Sequence, residues 1–180
     1  NNGAAYVLVR DGTTWSHQAY LKSPNNSNND YFGDSIAIED NTIVVGAFYE
    51  GSDTTAIIHG NDLSGTNNNG AVNGAVYVFV RGSNIWSHQA YLKAPNNSDD
   101  DRFGRSIAIS GDTIVVGATN ENSTTTAIIH DNDLSSTNSS GSYNGAVYVF
   151  VRDGTTWSLQ AYLKAPNNSN GDLFGESVAI

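Results

Sequence analysis

The chain has 180 residues with a formal net charge of −10, and 38% of its residues are hydrophobic. This acidic balance argues against nucleic acid and anionic membranes, which bind clusters of Lys and Arg. The absence of cysteine excludes disulfides and cysteine-based metal or redox sites. No apolar run reaches the roughly 18 residues that a membrane-inserted helix needs.

One pattern occurs almost three times along the chain. Trp15, Trp86 and Trp157 are each 71 residues apart, and no insertion or deletion interrupts the register. A fixed interval of this kind indicates one supersecondary unit stacked on copies of itself. The chain therefore divides into the second half of a unit (1–24), two full units (25–95 and 96–166) and the first strand of a further unit (167–180).

The second full unit shows the predicted strands most clearly. Residues 103–109 alternate large and small side chains, and a Ser-Gly-Asp turn separates them from the continuously apolar residues 113–118. After a long polar loop, strands are predicted at 145–152 and 157–164, on either side of an Asp-Gly hairpin turn. No segment has helical spacing, so the predicted class is all-β.

Four strands that follow one another directly in the chain predict an antiparallel meander. Such a meander, repeated at a fixed interval, is typical of a β-propeller blade. Stacked blades also explain the apolar strands, because each blade is covered on both faces. A β-solenoid is the structural alternative, but its coils are usually on the order of 20–30 residues.

The motifs resemble a known repeat. Phe-Gly opens the strand at 103–109 and Val-Gly-Ala closes the strand at 114–118, as in the FG-GAP repeat. Residues 74–80 and 86–93 resemble the second half of that repeat in its bacterial and archaeal form, found in large exported proteins. The resemblance covers the whole chain. It implies a β-propeller related to the head of integrin α-subunits, usually seven-bladed, with an extracellular role in adhesion or surface structure.

The chain departs from the integrin pattern at the calcium loop. The resemblance implies an Asp-rich calcium loop between the first and second strands of a blade. Here that connection is only Glu39-Asp40-Asn41 in one unit, and Ser-Gly-Asp in the next. Neither supplies the six to eight oxygens that calcium prefers, so the family's calcium site cannot be carried over.

Two and a half blades would leave two blade faces in water, since propellers close with roughly four to eight blades. We expect the chain to be a fragment of a longer array; the alternative is that several copies assemble into a ring. The expected partners are other repeats of the same protein or other copies of itself.

The strand histidines predict packing rather than chemistry. His17 and His88 occupy one position of the repeat, and Leu159 replaces them in the third copy. On a regular strand His17 would share a face with Trp15 and Ala19. Because leucine is accepted at this position, we expect a packing role.

Acidic segments precede each Phe-Gly pair. Dense oxygen ligands favour a weak calcium site, while the alternative, which we favour, is a turn in which the carboxylate accepts backbone N–H groups. The triple aspartate is the strongest exception. The calcium candidates are Asp30, Asp99, Asp100, Asp101 and Asp172.

Long loops span residues 48–73 and 119–144. Loops of this length are usually functional or disordered, and the Ala-Ile-Ile-His segment in both copies argues for docking. Packing on a neighbouring blade and contact with a ligand are equally favoured. The candidate ligand residues are Glu50, His59, Asp62, Glu121, His130 and Asp133. For the two histidines we favour a hydrogen-bonded structural role over ligand binding.

Five Asn-X-Ser/Thr triplets lie in predicted loops and are glycan acceptors in some secreted proteins. They begin at Asn25, Asn96, Asn122, Asn138 and Asn167.

The sequence lacks the patterns of catalysis. It has no Ser-His-Asp arrangement, no phosphate-binding glycine loop and no zinc motif. Paired carboxylates occur only in polar loops, where nothing would raise a pKa. We therefore predict no enzymatic activity and no certain cofactor, with calcium as the one candidate. The repeated tryptophans are expected to pack in the core or at the rim rather than to stack on sugars.

These observations predict an exported, non-enzymatic repeat protein with a structural or adhesive role at the cell surface. One alternative is a calcium-dependent adhesin or glycan-binding propeller, whose partners are surface glycans or proteins. Another is a propeller attached to a catalytic domain outside this chain.

Overall fold

The computed structural model describes residues 2–25 and 27–180. Within these ranges the regular elements are all strands, so no helix there could cross a membrane. The strands are β1 (Ala5–Asp11), β2 (Thr14–Leu21), β3 (Ile36–Glu39), β4 (Thr42–Ala47), β5 (Ile58–His59), β6 (Ala75–Gly82), β7 (Ile85–Leu92), β8 (Phe103–Ser110), β9 (Thr113–Ala118), β10 (Ile129–His130), β11 (Ala146–Asp153) and β12 (Thr156–Leu163).

The strands form three antiparallel sheets, which we call the hairpin, the first sheet and the second sheet. The hairpin is β1–β2, the first sheet has the order β3-β4-β6-β7-β5, and the second has the order β8-β9-β11-β12-β10. The predicted all-β class is thus confirmed. Each full unit has five strands rather than four, because the long loop adds a two-residue strand to the outer edge at β7 or β12.

The second strand of each unit is the most deeply buried. Every residue of β4 is buried, and so is every residue of β9 except Thr113. Each of these strands pairs with its neighbours on both edges, β4 with β3 and β6, and β9 with β8 and β11. Because both faces are also covered, a continuous apolar sequence is needed here, as the sequence predicted.

A β-bulge interrupts the last hairpin of every unit and corrects the predicted faces. In the first sheet Val78 pairs with Ala90 and Phe79 pairs with His88, which leaves Gln89 as an extra residue. The extra residue shifts the alternation, so a histidine at this position does not share a face with the alanine two residues later. The predicted grouping of His17 with Ala19 is wrong for this reason.

Each sheet therefore has two unlike faces. The aromatic face carries the large side chains, which in the second sheet are Tyr148, Phe150, Trp157 and Tyr162. The aliphatic face carries smaller side chains, which in the first sheet are Val76, Val78, Ala90 and Leu92. The aliphatic face of the first sheet packs on the aromatic face of the second in one continuous core.

Glycines set the close approach between units. A Cβ atom on Gly117, in the Val-Gly-Ala motif of β9, would lie 2.0 Å from the carbonyl oxygen of Gly175, in the next Phe-Gly pair. Gly46 meets Gly104 in the same way, at 2.3 Å. The Val-Gly-Ala glycine is thus required by the backbone of the next Phe-Gly pair. The glycines of the Phe-Gly pairs, Gly104 and Gly175, have positive φ and lie against the carbonyl oxygens of Ala75 and Ala146.

The strand predicted at 167–180 is reduced to a single bridge. Phe174 pairs with Gly145 in parallel, as Phe103 pairs with Gly74, but residues 175–180 form no strand. In the second sheet β8 is held by β9. The described residues contain no equivalent second strand for this segment.

Candidate functional site: the junction between units

A buried ion pair lies where each unit meets the connecting segment before it. Glu50 is 2% exposed and Lys93 is fully buried, with 3.1 Å between Oε2 and Nζ. The Tyr91 hydroxyl donates to the same carboxylate at 3.0 Å, and Asn25 Nδ2 donates to its other oxygen at 3.2 Å. Tyr77 then donates to Asn25 Oδ1 at 2.6 Å. We call these five residues the first junction cluster.

The second unit repeats this arrangement. Lys164 Nζ lies 2.7 Å from Glu121 Oε2, and both side chains are buried. Asn96 donates to Glu121 at 3.1 Å and accepts from Tyr148 at 2.6 Å. These four residues form the second junction cluster; Tyr162, the equivalent of Tyr91, is buried beside it, but its hydroxyl has no hydrogen-bond partner among the described residues. In both clusters the asparagine lies in the segment that connects one sheet to the next, so the cluster anchors this segment on the sheet that follows it.

Burial and charge act in opposite directions on the lysine. Burial lowers the pKa of Lys93, while the Glu50 carboxylate counteracts this shift. Lys93 also donates to the Gly74 carbonyl at 2.6 Å, which satisfies a second N–H of the ammonium group. Burial, reinforced by the nearby Glu50, raises the pKa of Tyr77 and of Tyr91. The cluster is thus a closed hydrogen-bonded network that holds structure.

The acidic segments form turns. Asp30, Asp101 and Asp172 each accept the backbone N–H of the serine three residues earlier, at 2.9, 2.8 and 2.7 Å. Asp30 and Asp101 are buried, whereas Asp172 is exposed. This is the turn that the sequence analysis favours over a calcium site.

The three consecutive aspartates, Asp99, Asp100 and Asp101, differ in burial and in hydrogen-bond partners. Asp99 and Asp100 are exposed, and Asp99 Oδ1 accepts the N–H of Ala71 at 3.0 Å. Asp101 is fully buried, its Oδ1 has no hydrogen-bond partner among the described residues, and burial raises its pKa to about 7.

The long-loop candidates are divided between two environments. Glu50 and Glu121 lie in the junction clusters, whereas Asp62 and Asp133 are exposed. Hydrogen bonds from Ser64 and Ser135 lower the pKa of Asp62 and of Asp133. Across residues 2–25 and 27–180, no three acidic or histidine side chains converge into a metal-binding group.

The loop histidines differ in their contacts. His59 Nε2 accepts the backbone N–H of Trp157 at 2.8 Å and so connects the first sheet to the second. His59 and its equivalent in the second unit, His130, are both exposed. Leu63 and Leu134 are buried, so each long loop packs on its own unit.

A family model described as the FG-GAP repeat matches residues 15–79 and 86–150. The chain belongs to the FG-GAP repeat family. Repeats of this family are integrin-α-like and typical of extracellular proteins, and they imply a propeller-like fold. No curated protein matches the chain.

The predicted glycan acceptors of the FG-GAP units fall into two groups, half-buried and exposed. Asn25 and Asn96 are half-buried, and their amide nitrogens donate within the junction clusters. Asn122 is half-buried, with its Oδ1 accepting from the Tyr143 backbone N–H at 2.8 Å. Asn138 and Asn167 are exposed.

Tryptophan burial in the FG-GAP units depends on the preceding unit. Trp157 is 1% exposed, Trp86 is half-buried and Trp15 is 63% exposed. His88 is buried against the rings of Tyr77 and Phe79, and burial lowers its pKa.

Sequence reasoning missed the residues that join the FG-GAP units. Lys93 and Lys164 had a signal, because a lysine recurs at the end of an apolar strand in every copy, starting with Lys22. Gln89 also recurs, but only the bulge shows its role. Its Oε1 accepts the indole N–H of Trp157 at 2.9 Å, and Gln18 accepts that of Trp86 at the same distance.

Proposed function

We propose that this chain is a non-enzymatic extracellular repeat protein with a structural or adhesive role at the cell surface, its units stacked as propeller blades. The observation that carries the proposal is the junction cluster. Its buried carboxylate and ammonium are fully engaged with each other and with backbone and side-chain partners. Groups held in this way stabilise the fold rather than act on a substrate.

The free energy lost when such a cluster is broken supports a structural role. Removing one partner of a buried ion pair leaves an uncompensated charge, which typically costs about 3–5 kcal/mol. A buried ion pair in each full unit makes that unit difficult to unfold. A surface protein that transmits force between a cell and its surroundings needs this property.

The exposed loops are the surface that a partner would meet. The outer parts of both long loops carry Asn, Ser, Thr and Asp side chains on a framework fixed by β5, β10 and the buried Leu63 and Leu134. A rigid framework lowers the entropy lost on binding. Repetition of the loop adds avidity when several units engage one surface. The adhesive form of the proposal rests on these loops.

A calcium-dependent adhesin is the second candidate. The observation that favours it is Asp101, a buried carboxylate with one oxygen unpartnered among the described residues, next to the exposed Asp99 and Asp100. Calcium bound there would neutralise the buried charge.

The test uses beads coated with the 180-residue chain and surfaces bearing a glycan panel or extracellular-matrix protein. We expect retention under flow that is equal in 1 mM calcium and in EDTA. Thermal unfolding should also be unchanged by calcium, since a ligand of the folded state would raise Tm by mass action. Retention that requires calcium would favour the second candidate. Lack of retention on every surface would contradict the adhesive role.

A further inference from the structure

Each junction cluster places an amine and an amide on the two oxygens of one buried carboxylate. In the first cluster Lys93 Nζ lies 3.1 Å from Glu50 Oε2, and Asn25 Nδ2 lies 3.2 Å from Glu50 Oε1. In the second cluster the corresponding distances are 2.7 and 3.1 Å, with Glu121 as the carboxylate. An amine, an amide and a carboxylate in mutual contact are the two reactants and the acid–base group of an amide exchange.

The amine of the first cluster is in an environment that favours nucleophilic attack. A lysine attacks a carbonyl carbon only as the neutral amine, and desolvation favours that form. Lys93 is fully buried, and this burial lowers its pKa. Transfer of its proton to Glu50 neutralises both groups and so removes the desolvation penalty of holding two ions away from water.

A hydrogen bond activates the amide in each cluster. The Tyr77 hydroxyl donates to Asn25 Oδ1 at 2.6 Å, and the Tyr148 hydroxyl donates to Asn96 Oδ1 at the same distance. Attack on the side-chain carbon moves negative charge onto this oxygen, so each tyrosine is placed as the donor of an oxyanion hole. Both tyrosines are fully buried, and such a donor stabilises charge most where bulk water is excluded.

We propose that Lys93 and Asn25 join in a covalent amide bond between their side chains, with loss of ammonia. Lys164 and Asn96 join in the same way. The Lys93 Nζ lone pair bonds to Asn25 Cγ, and the carbonyl electron pair moves to Oδ1 and returns as the Cγ–Nδ2 bond breaks. Glu50, protonated by the lysine, gives this proton to Nδ2 and takes another from Nζ, so Nδ2 leaves as ammonia. The step consumes no oxidant, cofactor or further reactant.

The two bonds would enclose both full units. One joins residue 25, before β3, to residue 93, after β7, and the other joins residue 96, before β8, to residue 164, after β12. A force applied to the chain ends then passes through these side chains and does not extend the strands between them. Each cluster reacts once, so the chain remains a scaffold without turnover. The inference does not depend on the proposed adhesive role.

The test is the mass of the purified 180-residue chain under denaturing conditions. The unreacted chain has a mass of 19.1 kDa. Two bonds should lower this mass by about 34 Da, because each covalent step removes one ammonia of about 17 Da. An unchanged mass would overturn the proposal.

Digestion with trypsin locates the bonds, because trypsin cuts after lysine only when the amine is unmodified. The three peptides that carry the reacting residues should therefore be recovered as one joined species, consisting of residues 23–81, 82–102 and 153–180. Loss of ammonia without joined peptides would overturn the proposal, since an asparagine can also lose ammonia by closing on its own backbone.

Lys22 is the matched control within the same chain. It follows β2 at the repeat position of Lys93 and donates to the Gly3 carbonyl, as Lys93 donates to the Gly74 carbonyl. No carboxylate contacts Lys22 among residues 2–25 and 27–180, so trypsin should cut after it. Protection of Lys22 equal to that of Lys93 would show that the carboxylate is not required.

Substitutions in one cluster should leave the other bond in place. Glu50→Gln should reduce the mass loss to about 17 Da, with residues 153–180 still joined to 94–102. Since Glu50→Gln also removes the buried ion pair, Tyr77→Phe provides a second variant that keeps the aromatic ring. It should slow the first bond about 100-fold, measured by mass against time after cell-free synthesis. Two bonds in Glu50→Gln, or an unchanged rate in Tyr77→Phe, would overturn the roles given to these residues.

Discussion

The hairpin and the last two strands of the second sheet have almost the same sequence and opposite surroundings. β2 reads Thr-Trp-Ser-His-Gln-Ala-Tyr-Leu and β12 reads Thr-Trp-Ser-Leu-Gln-Ala-Tyr-Leu. Strand pairing is also the same, including the bulge at the glutamine. Yet Trp15 is 63% exposed and Trp157 is 1% exposed. Local sequence thus sets the strands, and the neighbouring unit sets the burial.

This comparison has an energetic consequence. A residue in this repeat contributes to stability mainly through the face of the unit before it, because apolar burial scales with the area removed from water. The same substitution in two copies should therefore give different results. Each prediction below compares a position with a matched position elsewhere in the chain.

The largest difference is expected for tryptophan. Trp157→Ala should lower the free energy of unfolding by about 3–5 kcal/mol, because it leaves a cavity between the two sheets and removes the donor to Gln89. Trp15→Ala should change it by less than about 0.5 kcal/mol, as expected for an exposed site. Urea unfolding measures the change in free energy of unfolding for both variants.

The tryptophan comparison has an intermediate case. Trp86 is half-buried against the hairpin and donates to Gln18 at 2.9 Å. Trp86→Ala should fall between the other two variants. Equal losses at all three positions would contradict the comparison, because they would show that the unit stabilises its tryptophan without a neighbour.

A smaller difference is expected for glycine. Gly117→Ala should lower the free energy of unfolding by about 1–3 kcal/mol. The new methyl group would overlap the Gly175 carbonyl oxygen and the Ser106 hydroxyl, which lie 2.0 and 2.4 Å from its position. Gly82→Ala is the control. It lies at the exposed end of β6 with nothing within 4 Å of its Cβ position, and should be neutral or slightly stabilising. Thermal unfolding of the two variants gives the comparison.

The glycine result would also test the explanation of the repeated motif. If Gly117→Ala is tolerated, the Val-Gly-Ala glycine is not required by its approach to the next Phe-Gly pair. A second substitution, Gly46→Ala at the first junction, should then be tolerated too. If both variants are destabilised, the close approach accounts for the Val-Gly-Ala glycine in both units.

Much of this fold could be predicted from the sequence because its signals are local. The apolar run of β4 and β9, and the turns between strands, predicted the strand order. The bulge could not be predicted, since Gln89 looks like any polar residue on an outer strand until its pairing is known. The short strand β5 was also missed, because two residues within a polar loop carry no periodicity.

The junction cluster was missed for a different reason. Glu50 was expected among ligand residues because it is acidic and lies in a long loop. Its partner Lys93 follows 43 positions later, at the end of another strand. A buried ion pair depends on the distance between two chain segments, which sequence spacing does not give. Calcium binding at the triple aspartate remains a prediction.

The smallest and most diagnostic difference is expected between Asp101 and Asp30. Both lie before a Phe-Gly pair and both are buried. Asp30 accepts two hydrogen bonds from Ser27, at 2.9 Å from the backbone N–H and 2.7 Å from the hydroxyl. Asp101 accepts the Ser98 backbone N–H, and its Oδ1 has no partner in the part of the chain that the structure describes.

The pH dependence follows from the pKa of Asp101. Burial raises this pKa from 3.8 to about 7 in the folded chain, with Glu121 adding to the shift and Lys93 opposing it. Between these two pH values the folded state holds a proton that the unfolded state has released. The contribution of Asp101 to the free energy of unfolding is therefore fully present below about pH 4, falls as the pH rises, and is lowest above about pH 7.

Asp101→Asn should remove this fall. The amide stays neutral and still offers an oxygen to the Ser98 N–H, so the variant should match the parent at pH 4 and exceed it by at least about 1 kcal/mol at pH 8. Asp30→Asn should instead cost about 1 kcal/mol at pH 8, because an amide nitrogen cannot accept from Ser27. Urea midpoints at both pH values decide the outcome. A loss of stability in both variants at pH 8 would mean that the Asp101 carboxylate is compensated when charged. That result would make a bound cation at this junction the simplest explanation, and the same titration in calcium and in EDTA would test it.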